Sequence, residues 1–172
     1  VGGVDLMLEA IRPDMVCRDV WSIDIDALGR MGVRALVFDL DNTLTLWNQY
    51  DVSENTMQWI DDCRARGIKM CICSNNHAPR IQPVAGALGL DFIAEAGKPR
   101  PHAYLSACER LGARPDETAA VGDQLMTDVI GAKRAGLRAV LVNPIGRREF
   151  LGTYFNRMAE RPLLWLMGIK RP

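Results

Sequence analysis

Ala35-Leu36-Val37-Phe38-Asp39-Leu40-Asp41-Asn42-Thr43-Leu44 is an apolar run that ends in two carboxylates at i and i+2, followed by a turn. In an extended strand such residues point to the same side. Asp39 and Asp41 are therefore expected to leave the carboxyl end of a buried strand together, unless the turn splays them. Two carboxylates held side by side repel unless a cation lies between them or one is protonated. The pair suits a divalent cation, a nucleophile and a proton shuttle. Its bland alternative is an Asx-type turn that closes a strand.

Working outward from this stretch, short apolar runs alternate with helix-like stretches, the signature of a parallel α/β sheet. The first strand is expected over residues 34–40. Ser53 then caps a helix carrying Met57, Ile60 and Cys63 on one face and stopping at Gly67. A second strand over residues 68–73 runs into Ser74-Asn75-Asn76. A helix over residues 79–88 closes at Gly89, with Pro83 tolerated only near its first turn. A short strand over 91–94 leads to the stiff turn Gly97-Lys98-Pro99-Arg100-Pro101, and Pro101 opens the next helix, which ends at Gly112. Strands over 118–121 and 138–142 flank a helix over 126–135. The flanks are less regular: a short helix, an extended piece near Val20-Trp21 and a helix over 24–31 before the core, and a helical tail interrupted by Pro162 after it. The expected organisation is one domain, with residues 1–33 as an extension packing on the core, 34–150 as the core and 151–172 as a helical tail.

At 172 residues the chain is long enough for a full hydrophobic core. Its 48% hydrophobic and 24% charged residues are ordinary for a globular protein. Lys+Arg and Asp+Glu both number 21, so no global field favours nucleic acid, and no nucleic-acid partner is expected. Basic residues gather late, from Arg134 to Arg171, which leaves room for a local anionic partner. The five cysteines form no framework, and Cys71-x-Cys73 inside an apolar strand reads as two small core residues. Free thiols suit the reducing cytoplasm. No stretch approaches a membrane span, and no charged-then-apolar leader is visible, although a start at Val1 is compatible with a removed leader.

In an open parallel sheet the site lies at the carboxyl ends of the strands. Each expected strand delivers a polar group there: Asp39 and Asp41, then Ser74 and Asn75, then Lys98, then Asp123 with Asp128 five residues on. Singly, Ser74 could cap a strand, Lys98 could be a solvated loop lysine and Asp128 a helix cap. Jointly they form the inventory that phosphoryl transfer through a covalent aspartyl-phosphate requires.

Asp39-Leu40-Asp41-Asn42-Thr43 resembles the Asp-x-Asp-x-Thr motif of the haloacid dehalogenase-like superfamily. Ser74, Lys98 and Gly122-Asp123-x4-Asp128 match its later motifs in order. Within it, the chain is most similar to the YqeG-like branch, related to mitochondrial phosphatidylglycerophosphate phosphatases. That likeness rests on Arg12-Pro13-Asp14, the block from Asp39, Ser74-Asn75-Asn76, Lys98-Pro99, Gly122-Asp123-Gln124-Leu125 with Thr127-Asp128-Val129, and Asn156-Arg157 with Glu160. It covers about residues 11 to 161, with departures in the loops at His77 and Pro101-His102.

The resemblance implies a Rossmann-like three-layer α/β domain with a five-stranded, mainly parallel sheet. It implies Asp39 as nucleophile, Asp41 as general acid and base, Ser74 as donor to a phosphoryl oxygen and Lys98 as the balancing cation. Asp123 would bind Mg²⁺ with Asp39 and the Asp41 backbone carbonyl, and Asp128 would support from the outer shell or hold Lys98. Mg²⁺ suits that all-oxygen set. Asn42, Thr43 and Asn75 beside these groups are expected to contact substrate, joined by Arg147 and Arg148 after the last strand.

Asp41 and Ser74 are separated by only enough chain for a loop, a helix and a strand, and Ser74 and Lys98 by a helix and a short strand. These are the places where family members insert caps, so the resemblance implies a capless member. The expected reaction is hydrolysis of a phosphomonoester, with a lipid head-group phosphate such as phosphatidylglycerophosphate as first substrate class. The alternative is a receiver-like phospho-accepting or partner-binding module without catalysis. Receivers, however, place the acceptor on the third strand, which here offers no such residue. Leu163 to Met167 with Trp165 suits either peripheral membrane contact at the inner membrane or packing on the core or across a homodimer.

Overall fold

Period-two alternation in four central strands determines how the molecule is layered. A computed structural model of the chain describes residues 2–146 and 151–172. In β2 (Ala35–Phe38), Leu36 and Phe38 join one buried cluster while Val37 joins another on the opposite face. β3 (Lys69–Cys73), β5 (Thr118–Gly122) and β6 (Arg138–Val142) divide in the same way. Strands apolar on both faces must be covered on both, which is what parallel sheets with crossover helices achieve.

The covering elements are α2 (Ile25–Arg30), α3 (Glu54–Ala65) and α4 (Ala78–Leu88) on one face. On the other lie α5 (His102–Leu111), α6 (Ile130–Arg134) and part of α7 (Leu151–Leu166). With α1 (Gly2–Ala10), β1 (Met15–Cys17) and β4 (Asp91–Ile93), these make a single three-layer α/β domain. The sheet is parallel, in the order β1-β6-β5-β2-β3-β4. Only α3 lies between β2 and β3, and only α4 between β3 and β4, so no cap domain interrupts the fold.

Local chemistry sets the helix ends. The Ser53 hydroxyl accepts from Thr56 N at 3.2 Å to start α3. Gly89 and Gly112 close α4 and α5 in the left-handed conformation, at φ of 61° and 58°. Trp59 meets Phe38 edge-on at 6.1 Å and donates its indole N–H to Ile23 O at 2.9 Å, so its polar atom is satisfied inside the core. All five cysteines are free, and burial pushes the Cys63 and Cys71 thiols up to about 12, as expected of inert core residues.

The structure departs from the expected elements in five places. The sheet has six strands rather than five, because Met15–Cys17 of the extension pairs with β6. Val20–Ser22 is not extended but a 3₁₀ turn capped by Asp19. The helix expected over 126–135 opens with a wide π turn, Leu125–Val129, before α6. Pro83 lies inside α4, beyond its first turn, and α7 runs through Pro162. Among the described residues, no helix is long and apolar enough to cross a membrane.

Candidate active site

β2 is the pivot of the site, because β5 and β3 pair with it on either side. Phe38 is level with Val121 of β5 and Ile72 of β3, so the three strands deliver their next residues to one edge. Asp39 follows at the end of β2, with its backbone N–H donating to Val121 O at 2.9 Å. Asp123 follows β5 and Ser74 follows β3. Lys98 arrives from the loop after β4, which is tied to the Ser74 loop by two reciprocal bonds. Lys98 N donates to Asn75 Oδ1 at 2.8 Å, and Asn75 Nδ2 donates to Lys98 O at 3.3 Å.

Lys98 Nζ donates to Asp39 Oδ1 at 2.5 Å and to Asp128 Oδ1 at 2.7 Å, with its side chain only 2% exposed. The π turn carries Asp128 back toward its own start, so that Gln124 N donates to Asp128 Oδ2 at 3.1 Å. Carboxylate oxygens of Asp39, Asp123 and Asp128 lie within 4.8 Å of one another. Thr43 Oγ1 donates to Asp123 Oδ1 at 3.3 Å. From α7, Arg157 pairs with the other Asp123 oxygen, and both Arg157 and Arg171 donate to the Asp123 carbonyl. Buried Glu160 accepts from Met126 N at 3.1 Å and pairs with Arg171 at 3.3 Å.

These groups are removed from water, and burial governs their protonation. Burial pushes the Asp39 carboxyl up to about 8, even against the Lys98 ammonium, with Asp128 and Asp123 adding to the rise. Burial likewise pushes Asp123 up to about 7 against the pull of Arg157. For Lys98 burial opposes the charge, but Asp128 and Asp39 outweigh it and hold the ammonium well above its ordinary value. Among the described residues, the region holds four carboxyl groups (Asp39, Asp123, Asp128, Glu160) and three cations (Lys98, Arg157, Arg171). The three clustered carboxyls of Asp39, Asp123 and Asp128 are hard-oxygen donors that fit a divalent cation.

A cleft of about 590 Å³ opens onto this cluster, with Asp39, Asp41, Ser74 and Lys98 in its lining. Trp47, Asn48, Asn75, Asn76, Gln124, Thr127 and Asn156 complete it. The structure thus brings Asp39, Ser74, Lys98, Asp123 and Asp128 together at this edge. The Asp41 carboxylate stands apart from the other three. The turn after it, with Asn42 at φ 61°, splays the pair, and the carboxylate binds Arg80 at 2.6 Å and Asn76 instead. Asn42 and Thr43 are buried behind the cleft, in the turn and against Asp123, while Asn75 lines it. Arg147 and Arg148 lie outside the described residues.

Sequence reading assigned no role to Arg80, Arg157, Glu160, Trp47 or Gln124. Gln124, Arg157 and Glu160 stood there as marks of resemblance, and Arg157 also as one of the late basic residues. Arg80 gives no sequence signal, since its partner is 39 positions away.

Comparison with known proteins identifies the family. The family model for haloacid dehalogenase-like hydrolase matches residues 46–136, which take in Ser74, Lys98, Asp123 and Asp128. The model for mitochondrial PGP phosphatase matches residues 6–81, which take in Asp39 and Asp41. The probable phosphatase YqeG of Bacillus subtilis is 33% identical over 152 residues, covering 88% of each chain. Phosphatidylglycerophosphate phosphatase 1 of Arabidopsis thaliana is 26% identical over 149 residues, or 81% of this chain and 42% of that protein. This chain therefore spans less than half of the plant enzyme. Among solved structures, an uncharacterized protein from Listeria monocytogenes serotype 4b superposes with a TM-score of 0.53 at 22% identity, covering 78% of this chain and 98% of that one, and so shares the fold. Matched by the hydrolase model over more than half of its length, and by YqeG along nearly all of it, the chain belongs to the haloacid dehalogenase-like hydrolase family, among its phosphatases.

Proposed function

We propose that the chain is a Mg²⁺-dependent phosphomonoesterase working through a covalent aspartyl-phosphate on Asp39, with Asp41 as general acid and then general base. The observation that carries this reading is the Lys98 bridge, one buried ammonium held between Asp39 and Asp128 at the floor of the cleft. A fixed cation in a site of low dielectric lets a phosphate dianion approach a carboxylate.

An Asp39 carboxylate oxygen attacks phosphorus, the bond from phosphorus to the ester oxygen breaks, and Asp41 gives its proton to the departing alkoxide. Water then attacks the aspartyl-phosphate at phosphorus and loses its proton to Asp41, which frees phosphate and restores the Asp39 carboxylate. Lys98 Nζ and the Ser74 hydroxyl hold phosphoryl oxygens throughout. Asp39, Asp123 and the Asp41 carbonyl would hold Mg²⁺, with Asp128 in support, and the ion would supply positive charge against the phosphoryl oxygens.

Within this reading the substrate is a lipid head-group phosphate such as phosphatidylglycerophosphate. Similarity to the plant enzyme of that name supports it, as does a cleft that no cap covers. The neutral amides of Asn48, Asn75, Asn76, Gln124 and Asn156 along the cleft suit a hydroxylated leaving group. Peripheral contact with a membrane through α7 belongs to the same reading. Acid-quenched turnover followed by peptide mass measurement tests the core of the proposal. A phosphoryl group is expected on the peptide bearing Asp39, and its appearance on another residue, or on none while turnover proceeds, would overturn the covalent route.

A further inference from the structure

Arg80 lies in the first turn of α4, outside every motif of the sequence, yet it forms an ion pair with Asp41. Its Nη2 donates to Asp41 Oδ1 at 2.6 Å and to Leu46 O at 3.3 Å. Its guanidinium lies over the Tyr50 ring, 5.0 Å from the centroid. The pair is shielded, with Arg80 11% and Asp41 14% exposed, so water and salt screen it little. Arg80 Nη1 is buried with no partner among the described residues. These contacts serve Asp41 and the loop after it, not the helix that carries the arginine.

The loop itself is closely braced. Trp47 N donates to Asn42 Oδ1 at 3.4 Å, and Thr45 Oγ1 donates to Asp51 O at 2.8 Å. Trp47 and Asn48 from this loop line the cleft beside Asp41. Arg80 thus ties together the carboxylate assigned to the leaving group and the loop that walls the same side.

We propose that Arg80 is a positioning residue for the leaving-group side of the reaction. With Asn76 on Oδ2 and Arg80 on Oδ1, the plane of the Asp41 carboxyl is fixed, while each oxygen keeps a second site for a proton or an alcohol. Without Arg80 the carboxyl swings about its side-chain torsions and the loop loses its strut, so proton delivery to the departing alkoxide fails. This rests on the reading of Asp41 as general acid and is tested together with it.

The test compares kcat/KM for phenyl phosphate, glycerol phosphate and dinitrophenyl phosphate, in the wild type and in Arg80→Met, Arg80→Lys and Asp41→Asn. In a mechanism with a covalent intermediate, kcat/KM reports only the steps through departure of the leaving group. Glycerol and phenol need a proton as they leave, whereas dinitrophenolate does not. Arg80→Met is expected to lose roughly 10²-fold on glycerol phosphate, the lower end for a misplaced general acid, and to retain its kcat/KM on dinitrophenyl phosphate. Asp41→Asn should show the same dependence more steeply, and Arg80→Lys, which keeps the charge without the fork, should recover part of the loss. A uniform loss on all three esters, or no loss on any, would overturn the role of Arg80 even where Asp41→Asn behaves as a general-acid variant. If Asp41→Asn itself shows no leaving-group dependence, the reading of Asp41 fails and the proposal with it. Arg80→Lys keeps the test decisive if Arg80→Met does not fold.

Discussion

Asp39 and Asp123 are buried carboxyls that gain protons in the metal-free protein, because burial raises them to about 8 and about 7. A divalent cation binds the deprotonated forms, so it must displace those protons. Affinity for Mg²⁺ is therefore expected to rise with pH up to about 8, with proton release below it. Calorimetry in buffers of different ionisation enthalpy would show the release as a buffer-dependent heat. An affinity flat from pH 6 to 8 would contradict the account. Metal-free stability runs the opposite way. Folded-state values above the unfolded ones mean that metal-free stability falls as pH rises from the ordinary carboxylate range through those values. At this scale much was legible in the sequence. Asp39, Ser74 and Asp123 each follow an apolar run at a strand end, so the topology alone brings them together. Arg80 and Arg157 approach from helices across the fold, and no local pattern records such a meeting.

The element with least freedom is the end of β5. A Cβ added at Gly122 would lie 2.3 Å from Asp128 Cγ, closer than atoms can approach. Gly122→Ala is expected to push Asp128 off Lys98, to lower Mg²⁺ affinity, and to destabilise the fold by about 1–3 kcal/mol, typical of overpacking and read as a lower melting temperature. Wild-type melting and Mg²⁺ binding in that variant would contradict the placement of Asp128. The tail makes a second case. Its apolar run divides between two environments: Leu164 and Met167 are buried, whereas Trp165 and Leu166 are 78% and 55% exposed. Exposed Lys170 lies just beyond. Replacing Trp165 and Leu166 together by serine should leave melting nearly unchanged but reduce sedimentation with anionic vesicles. Undiminished sedimentation would remove the tail from any membrane role. Most strands could be read from their apolar runs and helix stops. β1 could not, because Met15-Val16-Cys17 is three half-buried residues without alternation, and pairing with β6 alone makes it a strand.

Seen whole, the molecule is a parallel sheet whose site residues collect at one edge around a cleft, with no cap domain between β2 and β4. Its family and layering followed from motif order and chain lengths, whereas the α7 clamp on Asp123 did not, because a terminal helix can dock on many surfaces. The central claim is that Asp39 accepts the phosphoryl group. The most direct measurement is Mg²⁺-dependent release of phosphate by purified Asp39→Asn, with melting and circular dichroism confirming a wild-type fold. Loss of the nucleophile removes the covalent route altogether, so release is expected to fall to the level of the enzyme-free control. Turnover near that of the wild type would contradict the account.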